Sequence, residues 1–239
     1  KLKILYIKLI MNNLEKLGTN YGGWIIPKDI KLNNNSIVYS GGVGEDISFD
    51  LILSDKYNSK LYLIDPTERS YIHYNEIIKG YNNNNFIFSA DIQRDYLNKI
   101  NKLKPNFNNI NYVNYGIWDE DTELKFYKPI NNKYVSHSII ENMCSKEYIN
   151  IKTKTIKQIM EIYNHTKIDL LKLDIEGAEI KVINKMLDDN IYPDYLLIEF
   201  DLLLKRKDHD NSTQKLVNRL LNNYNILIND NYNITFKKK

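Results

Sequence analysis

One stretch, Ile168-Asp169-Leu170-Leu171-Lys172-Leu173-Asp174-Ile175-Glu176-Gly177-Ala178-Glu179, constrains the fold of this chain more than any other. An apolar run ends in Asp174, and Glu176 and Gly177 follow at once on the way into a helical pattern. That order fits the C-terminal end of a parallel strand opening onto a ligand crevice, where carboxylates point at a bound molecule instead of into a core. A second such edge lies upstream, at Val38-Tyr39-Ser40-Gly41-Gly42-Val43-Gly44-Glu45-Asp46. Together the two edges predict a nucleotide-type cofactor site.

The rest of the chain alternates to suit that frame. Strands are predicted at Ser36–Ser40, Lys60–Asp65, Asn111–Gly116, Asp169–Asp174 and Tyr195–Phe200, with a short one at Phe86–Phe88. Leu61-Tyr62-Leu63-Ile64 is nearly continuous and apolar, as in a sheet covered on both faces. Helical patterns fall at Asp46–Tyr57, with Asp46 as N-cap, and at Glu68–Lys79, Gln93–Leu103, Thr155–Tyr163 and Ser212–Asn222. The clearest follows the acidic edge, where Ala178, Val182, Ile183, Met186 and Leu187 recur at helical spacing. A strand at Glu123–Tyr127 opens an excursion that continues from Asn131 to Asn150, and Asn225–Ile228 pairs antiparallel with Ile234–Phe236. The prediction is an α/β fold with a mostly parallel sheet, helices on both faces and an antiparallel edge. A length of 239 residues without internal repeat or linker fits one domain. Its core would span 36–239, with an N-terminal helical segment at 1–35 packed on it.

Composition excludes several classes. The net charge of +3 is supplied by Lys237-Lys238-Lys239, which argues against a duplex nucleic-acid partner. No apolar run reaches the length needed to span a bilayer. The opening Lys1–Ile10 is too short and too charged for a transmembrane helix and lacks a cleavage site, so a cytoplasmic location without a membrane partner is expected. The chain does not begin with Met, as expected either of a trimmed chain or of a piece of a longer polypeptide. The single cysteine, Cys144, excludes an internal disulfide and fits a reducing compartment, and no activating motif surrounds it. The asparagine runs at 33–35 and 82–85 read as loop filler.

The chemistry gathers at the strand ends. Gly41, Gly42 and Gly44 let the backbone approach a ligand closely and adopt positive φ. No Gly-Lys-Ser/Thr ending follows, and the dinucleotide fingerprint with its third glycine is absent. Glu45 and Asp46 instead stand where a pyrophosphate would sit at a helix N-terminus. Two carboxylates there repel phosphate and suit a cation such as the sulfonium and ammonium of S-adenosylmethionine, or else they cap the helix. Asp65, roughly twenty residues past the glycines, ends its strand where a carboxylate can accept both ribose hydroxyls; a structural cap is its alternative role.

Lys172-Leu173-Asp174-Ile175-Glu176-Gly177-Ala178-Glu179 resembles the hallmark of the FkbM-type S-adenosylmethionine-dependent methyltransferases, Lys-x-Asp-x-Glu-Gly-x-Glu. Supporting segments are Gly42–Asp50, Asp65-Pro66-Thr67, Tyr115-Gly116-Ile117-Trp118 and Val135-Ser136-His137-Ser138-Ile139, so the resemblance runs from about Tyr21 to Phe200. It implies a class I methyltransferase (Rossmann-like) fold with a seven-stranded sheet whose last strand is antiparallel. It also implies S-adenosyl-L-methionine as cofactor and methyl transfer to oxygen, commonly a hydroxyl of a sugar, nucleotide-sugar or glycan. Ser40 departs from the pattern, since many class I enzymes place an acid there, and the ammonium contact would pass to Glu45 or Asp46. The glycine turn of Gly41, Gly42 and Gly44 would then hold the methionine portion, Asp65 the ribose, and Gly116 and Ile117 the adenine. Asp174 would stand near the transferable methyl.

A sugar hydroxyl must lose its proton during attack. Asp174, Glu176, His137 and Glu199 are the candidate bases; His73, His165 and His209 carry no comparable context. Tyr21-Gly22-Gly23-Trp24 is placed to cover the pocket, with plain packing as the alternative for Trp24. Lys172 alternates away from Leu171 and Leu173, toward either a carboxylate or solvent. Acids so spaced serve hydrogen bonding more often than metal binding, and no metal is expected. Two rival readings are a cap-type ribose methyltransferase acting on RNA and a methyltransferase fold kept for interaction only.

Overall fold

The computed structural model describes residues 13–130, 137–139, 145–204, 208 and 210–239. The sequence expectations for Lys1–Ile10, Val135-Ser136, Cys144 and His209 lie outside them. The first half of the chain holds β1 (Leu14–Leu17), β2 (Trp24–Pro27), β3 (Ile37–Gly41), α1 (Ser48–Tyr57), β4 (Lys60–Ile64), α2 (Glu68–Asn83), α3 (Tyr96–Ile100) and β5 (Ile110–Val113). Next come β6 (Gly116–Ile117), β7 (Glu123–Tyr127), β8 (Tyr148–Lys154), α4 (Ile156–Ile162), β9 (Leu170–Leu173) and α5 (Glu179–Asp188). The chain closes with β10 (Tyr195–Glu199), α6 (Asp201–Leu204), α7 (Ser212–Leu220), β11 (Tyr224–Asp230) and β12 (Asn233–Lys238).

Seven strands form the central sheet in the order β11-β12-β10-β9-β3-β4-β5. The sheet is mixed, where the sequence predicts a mostly parallel one. Four pairings, from β10 through β9, β3 and β4 to β5, are parallel, and β12 pairs antiparallel with both β10 and β11. The reason is local: only Asn231 and Tyr232 separate β11 from β12, and so short a link permits only a hairpin.

Alternate residues of the strands feed two cores, one on each face. Val38, Leu61, Leu63, Leu170 and Leu197 pack with Phe49, Leu53, Ile77 and Ile100 from α1, α2 and α3. Tyr39, Ile64, Leu171, Leu173 and Ile198 pack on the other face with Ile159 of α4, Ile183 and Met186 of α5, and Leu216 and Leu220 of α7. β9 and most of β10 are buried on both faces, as their unbroken apolar runs require.

The N-terminal region differs from expectation. Residues 13–35 contain no helix; β1 and β2 form an antiparallel hairpin instead. Leu17, Trp24 and Ile26 bury against the sheet at period two, a spacing no helix face would match. Helix α1 begins at Ser48 with Ile47 as its N-cap, so Asp46 stands one residue outside, its Oδ1 accepting from the Ser48 amide at 3.0 Å. Phe86–Phe88 forms no strand; Phe86 packs edge-on with Tyr81, and Phe88 stacks on His73. The single strand predicted at Asn111–Gly116 is divided between β5 and β6, and β6 belongs to a second sheet ordered β6-β8-β7.

Candidate active site

The C-terminal ends of the parallel strands share one edge. From β3 the chain moves outward through β4 and β5, then crosses to β9 and β10 on the other side. The switch point therefore falls between β3 and β9, where open α/β sheets bind ligands. A cleft opens there, with both acidic edges on its wall.

The two edges interlock. Gly42, at φ +69°, donates its amide to the Ile64 carbonyl at 2.9 Å, and a Cβ on it would overlap the Asp174 carbonyl oxygen. The Asp174 amide in turn donates to the Gly41 carbonyl at 3.1 Å. Lys172, only 4% exposed, donates Nζ to the Gly42 carbonyl at 3.1 Å. Glycine at position 42 is thus demanded by the neighbouring strand end itself. The alternation of β9 had turned Lys172 away from the apolar core without saying toward what; its partner is this glycine turn.

Asp65 lies at the end of β4, buried, and organises two loops. Its Oδ2 accepts from the Gly44 amide at 3.0 Å, and its Oδ1 accepts from the Thr67 amide at 2.9 Å and hydroxyl at 2.6 Å. A carboxylate has about four acceptor positions, and these three bonds leave about one of them.

Asp46, Asp174, Glu176 and Glu199 all line the cleft, with Tyr21 beside them. Asp46 accepts from the Thr19 hydroxyl at 2.5 Å, and the Thr19 amide donates to Ser48 Oγ at 2.9 Å, which ties the β1–β2 turn over the glycine turn. The crowding of negative charge bears on its neighbours. Glu199 is pushed up to about 8 by burial and then by Asp174, Asp201 and Glu176, with Lys172 pulling the other way. The Tyr21 phenol is pushed up to about 12, first by desolvation of its hydroxyl and then by Asp174, Glu176, Glu199 and Asp46. Glu176 has φ +55° and its carbonyl accepts from Ser138 Oγ at 2.6 Å.

The second sheet supplies the opposite wall. Gly116 and Ile117 of β6 pair with Thr153 and Lys154 of β8, and Ile117, Phe126, Ile151 and Thr153 face the cleft. His137 is 8% exposed, stacks on Phe126 with centroids 5.4 Å apart, and lines the same cleft. Sequence reasoning missed Phe126, Ile151 and Thr153. The signal was there, since Ile149, Ile151 and Thr153 alternate with Tyr148, Asn150 and Lys152, a half-buried strand pattern that straddles the end of the expected excursion at Asn150.

The structure thus brings His137, Asp174, Glu176 and Glu199 together with Gly42, Gly44, Asp46, Asp65, Gly116 and Ile117. Two of the predicted residues stand apart. Gly41 lies beneath Ile117, whose Cδ1 would be 2.6 Å from an added Cβ, so this glycine makes room for a wall residue instead of a ligand. Glu45 turns outward into a two-point ion pair with Arg69, at 2.9 Å from Nε and 2.8 Å from Nη2. Among the described residues no cluster of three or more His, Cys, Asp and Glu is arranged to hold a metal ion. No described helix is long and apolar enough to cross a membrane.

A family model described as the methyltransferase FkbM domain matches residues 78–214, more than half of the chain. The match includes the Lys172–Glu179 stretch, β8 and Glu199, and begins after the glycine turn and Asp65. No curated protein and no solved structure matches the chain.

Proposed function

The chain belongs to the FkbM methyltransferase family, and we propose that it transfers a methyl group from S-adenosylmethionine to a hydroxyl of a sugar, nucleotide-sugar or glycan. The observation that carries this reading is the gathering of Asp46, Asp174, Glu176 and Glu199 around one cleft at the switch point, where they outnumber Lys172 and His137 on the same wall. A cationic guest fits such a wall; a pyrophosphate does not.

The residues suit the cofactor part by part. Asp46 and the Gly42–Gly44 turn would hold the amino-acid end, and the open acceptor position of Asp65 would take one ribose hydroxyl, where the sequence alone suggested both. Ile117, Phe126 and Ile151 would give the adenine an apolar wall, with Gly116 leaving clearance. When bound, the cofactor supplies a methyl on cationic sulfur: the oxygen–methyl bond forms as the sulfur–methyl bond breaks, and the electron pair stays on sulfur.

Glu199 is the group we assign to the hydroxyl proton. A base works best when its pKa lies near the operating pH, and burial among like charges has raised Glu199 to about 8. Asp174, at the neighbouring strand end, would orient the hydroxyl in line with the methyl, a positioning role that accounts for much of the gain in such displacements. Lys172 fixes the Gly42 carbonyl and with it the floor of the cleft.

The test is calorimetric titration with S-adenosylhomocysteine, followed by turnover with labelled S-adenosylmethionine. Binding by the wild type, kept in Asp174→Asn with turnover down about 100-fold or more, is the expected result. Absence of binding would overturn the methyltransferase reading of the cleft and favour a fold retained for interaction.

A further inference from the structure

A second cavity adjoins the cleft. It lies between the β1–β2 turn and the β11–β12 turn, and it shares two wall residues, Tyr21 and Glu199, with the first. Its floor follows from sheet register. Asn233 of β12 pairs with Glu199 of β10 on one side and with Asp230 of β11 on the other. Directly paired residues present their side chains on the same face, about 5 Å apart. Glu199, Asn233 and Asp230 therefore form a row of hydrogen-bonding groups leading from the cleft outward across the edge of the sheet. Asn20 and Tyr232 complete the polar wall, and Tyr21, two-thirds exposed, offers an aromatic face at the junction.

One atom in this row asks for an outside partner. Asn233 Oδ1 is buried and has no hydrogen-bond partner among the described residues. Buried polar atoms are nearly always bonded, so a small turn of the Asn233 side chain toward the cavity that the residue lines would bring this atom a partner.

We infer that this second cavity is the acceptor site and that it takes a polyhydroxylated, carbohydrate-like molecule, presenting one hydroxyl past Tyr21 to Glu199. The inference rests on the reading of the adjoining cleft as the methyl-donor site. The chemistry of the wall supports the class. Amides and carboxylates in a row match the alternating donors and acceptors of a hydroxylated ring, and tyrosine faces match its C–H surface. An apolar acceptor would leave that row unsatisfied, at a cost for every group. The only described cation on the wall, Lys16, already donates to the Asn20 carbonyl at 3.0 Å. The neutral glycoside and the nucleotide-linked sugar are separate arms of the test.

The experiment compares the wild type with Asn233→Ala and Tyr232→Ala. Titration with S-adenosylhomocysteine should give the same Kd in all three, because neither residue lines the donor cleft. Methyl incorporation from labelled S-adenosylmethionine is then read with two acceptor pools, one of neutral glycosides and oligosaccharides and one of UDP- and GDP-sugars. Incorporation into either pool, with KM raised at least tenfold in both variants and kcat less affected, is the expected result, and the pool that is labelled names the source. Equal KM in wild type and variants, or label in neither pool while S-adenosylhomocysteine still binds, would overturn the assignment. Failure of S-adenosylhomocysteine to bind the wild type would fall on the donor-site reading instead.

Discussion

Seven described residues other than glycine adopt a clearly positive φ; six are asparagine and the seventh is Glu176, at φ +55°. Asparagine tolerates the left-handed region, whereas a glutamate there is strained by ~1 kcal/mol or more. The strain persists because the Glu176 carbonyl is held by Ser138 and its side chain is delivered to the cleft. Glu176→Gly should relax the backbone and raise stability by up to ~1 kcal/mol while lowering turnover, read by chemical denaturation beside a rate assay. A variant that is both more stable and fully active would remove Glu176 from the site. Glu199 gives a prediction in pH. As the proton acceptor it works only when ionised, so turnover should climb as pH rises through about 8, and Glu199→Gln should lose that limb together with most of the rate. Its folded pKa lies above the ordinary carboxylate value of 4.5, so its contribution to stability is complete below about 4.5 and fades as pH rises through about 8. Thermal midpoints of Glu199→Gln should accordingly fall less than those of the wild type across that range. Asp65 was readable as a strand-end acid, yet its three bonds to Gly44 and Thr67 were not. Asp65→Ala should therefore cost ~1–3 kcal/mol of fold as well as affinity.

Elements buried on both faces were legible, and elements that merely cover them were not. β4, β9 and β10 announce themselves through continuous apolar runs, and α5 through its stripe of Val182, Ile183, Met186 and Leu187. The β1–β2 hairpin offers only four residues per strand, too few for a period to stand out, and its position depends on Thr19, Asp46 and Ser48, which meet only in the fold. The same holds for the cleft: the acids at the ends of β9 and β10 were visible, whereas Phe126 and Ile151 depend on the pairing of β7 with β8. This division makes the hairpin the element to perturb. Thr19→Val keeps the volume but strips a 2.5 Å hydrogen bond from buried Asp46 and an acceptor from the Gly22 amide. It should cost ~1–3 kcal/mol, and hydrogen exchange should rise in residues 14–27 more than in β9 or β10. Uniform loosening of the whole sheet would show that the hairpin is not a separable roof over the two cavities.

At the scale of the molecule the charge pattern runs against the total. The chain carries a net +3, yet the cleft at the switch point is walled by Asp46, Asp174 and Glu176, which Glu199 joins in charge as pH rises through about 8. A local field of that sign within a weakly positive protein selects by charge, and salt screens the selection where the mouth meets solvent. S-adenosylmethionine, with its extra sulfonium charge, should therefore bind more tightly than S-adenosylhomocysteine at low ionic strength, and the gap should narrow as salt is added. NAD and ATP, whose phosphates meet the same carboxylates, should not bind. Ligand held at a hundred times its Kd adds ~2.7 kcal/mol to stability. For a chain of this size that corresponds to a rise of roughly 5–10 °C in the thermal midpoint. Melting curves with the four compounds at low and high salt read all of this at once. A shift with NAD or ATP as large as that with S-adenosylmethionine, or an advantage of S-adenosylhomocysteine at low salt, would show that the acids at the strand ends do not face the guest.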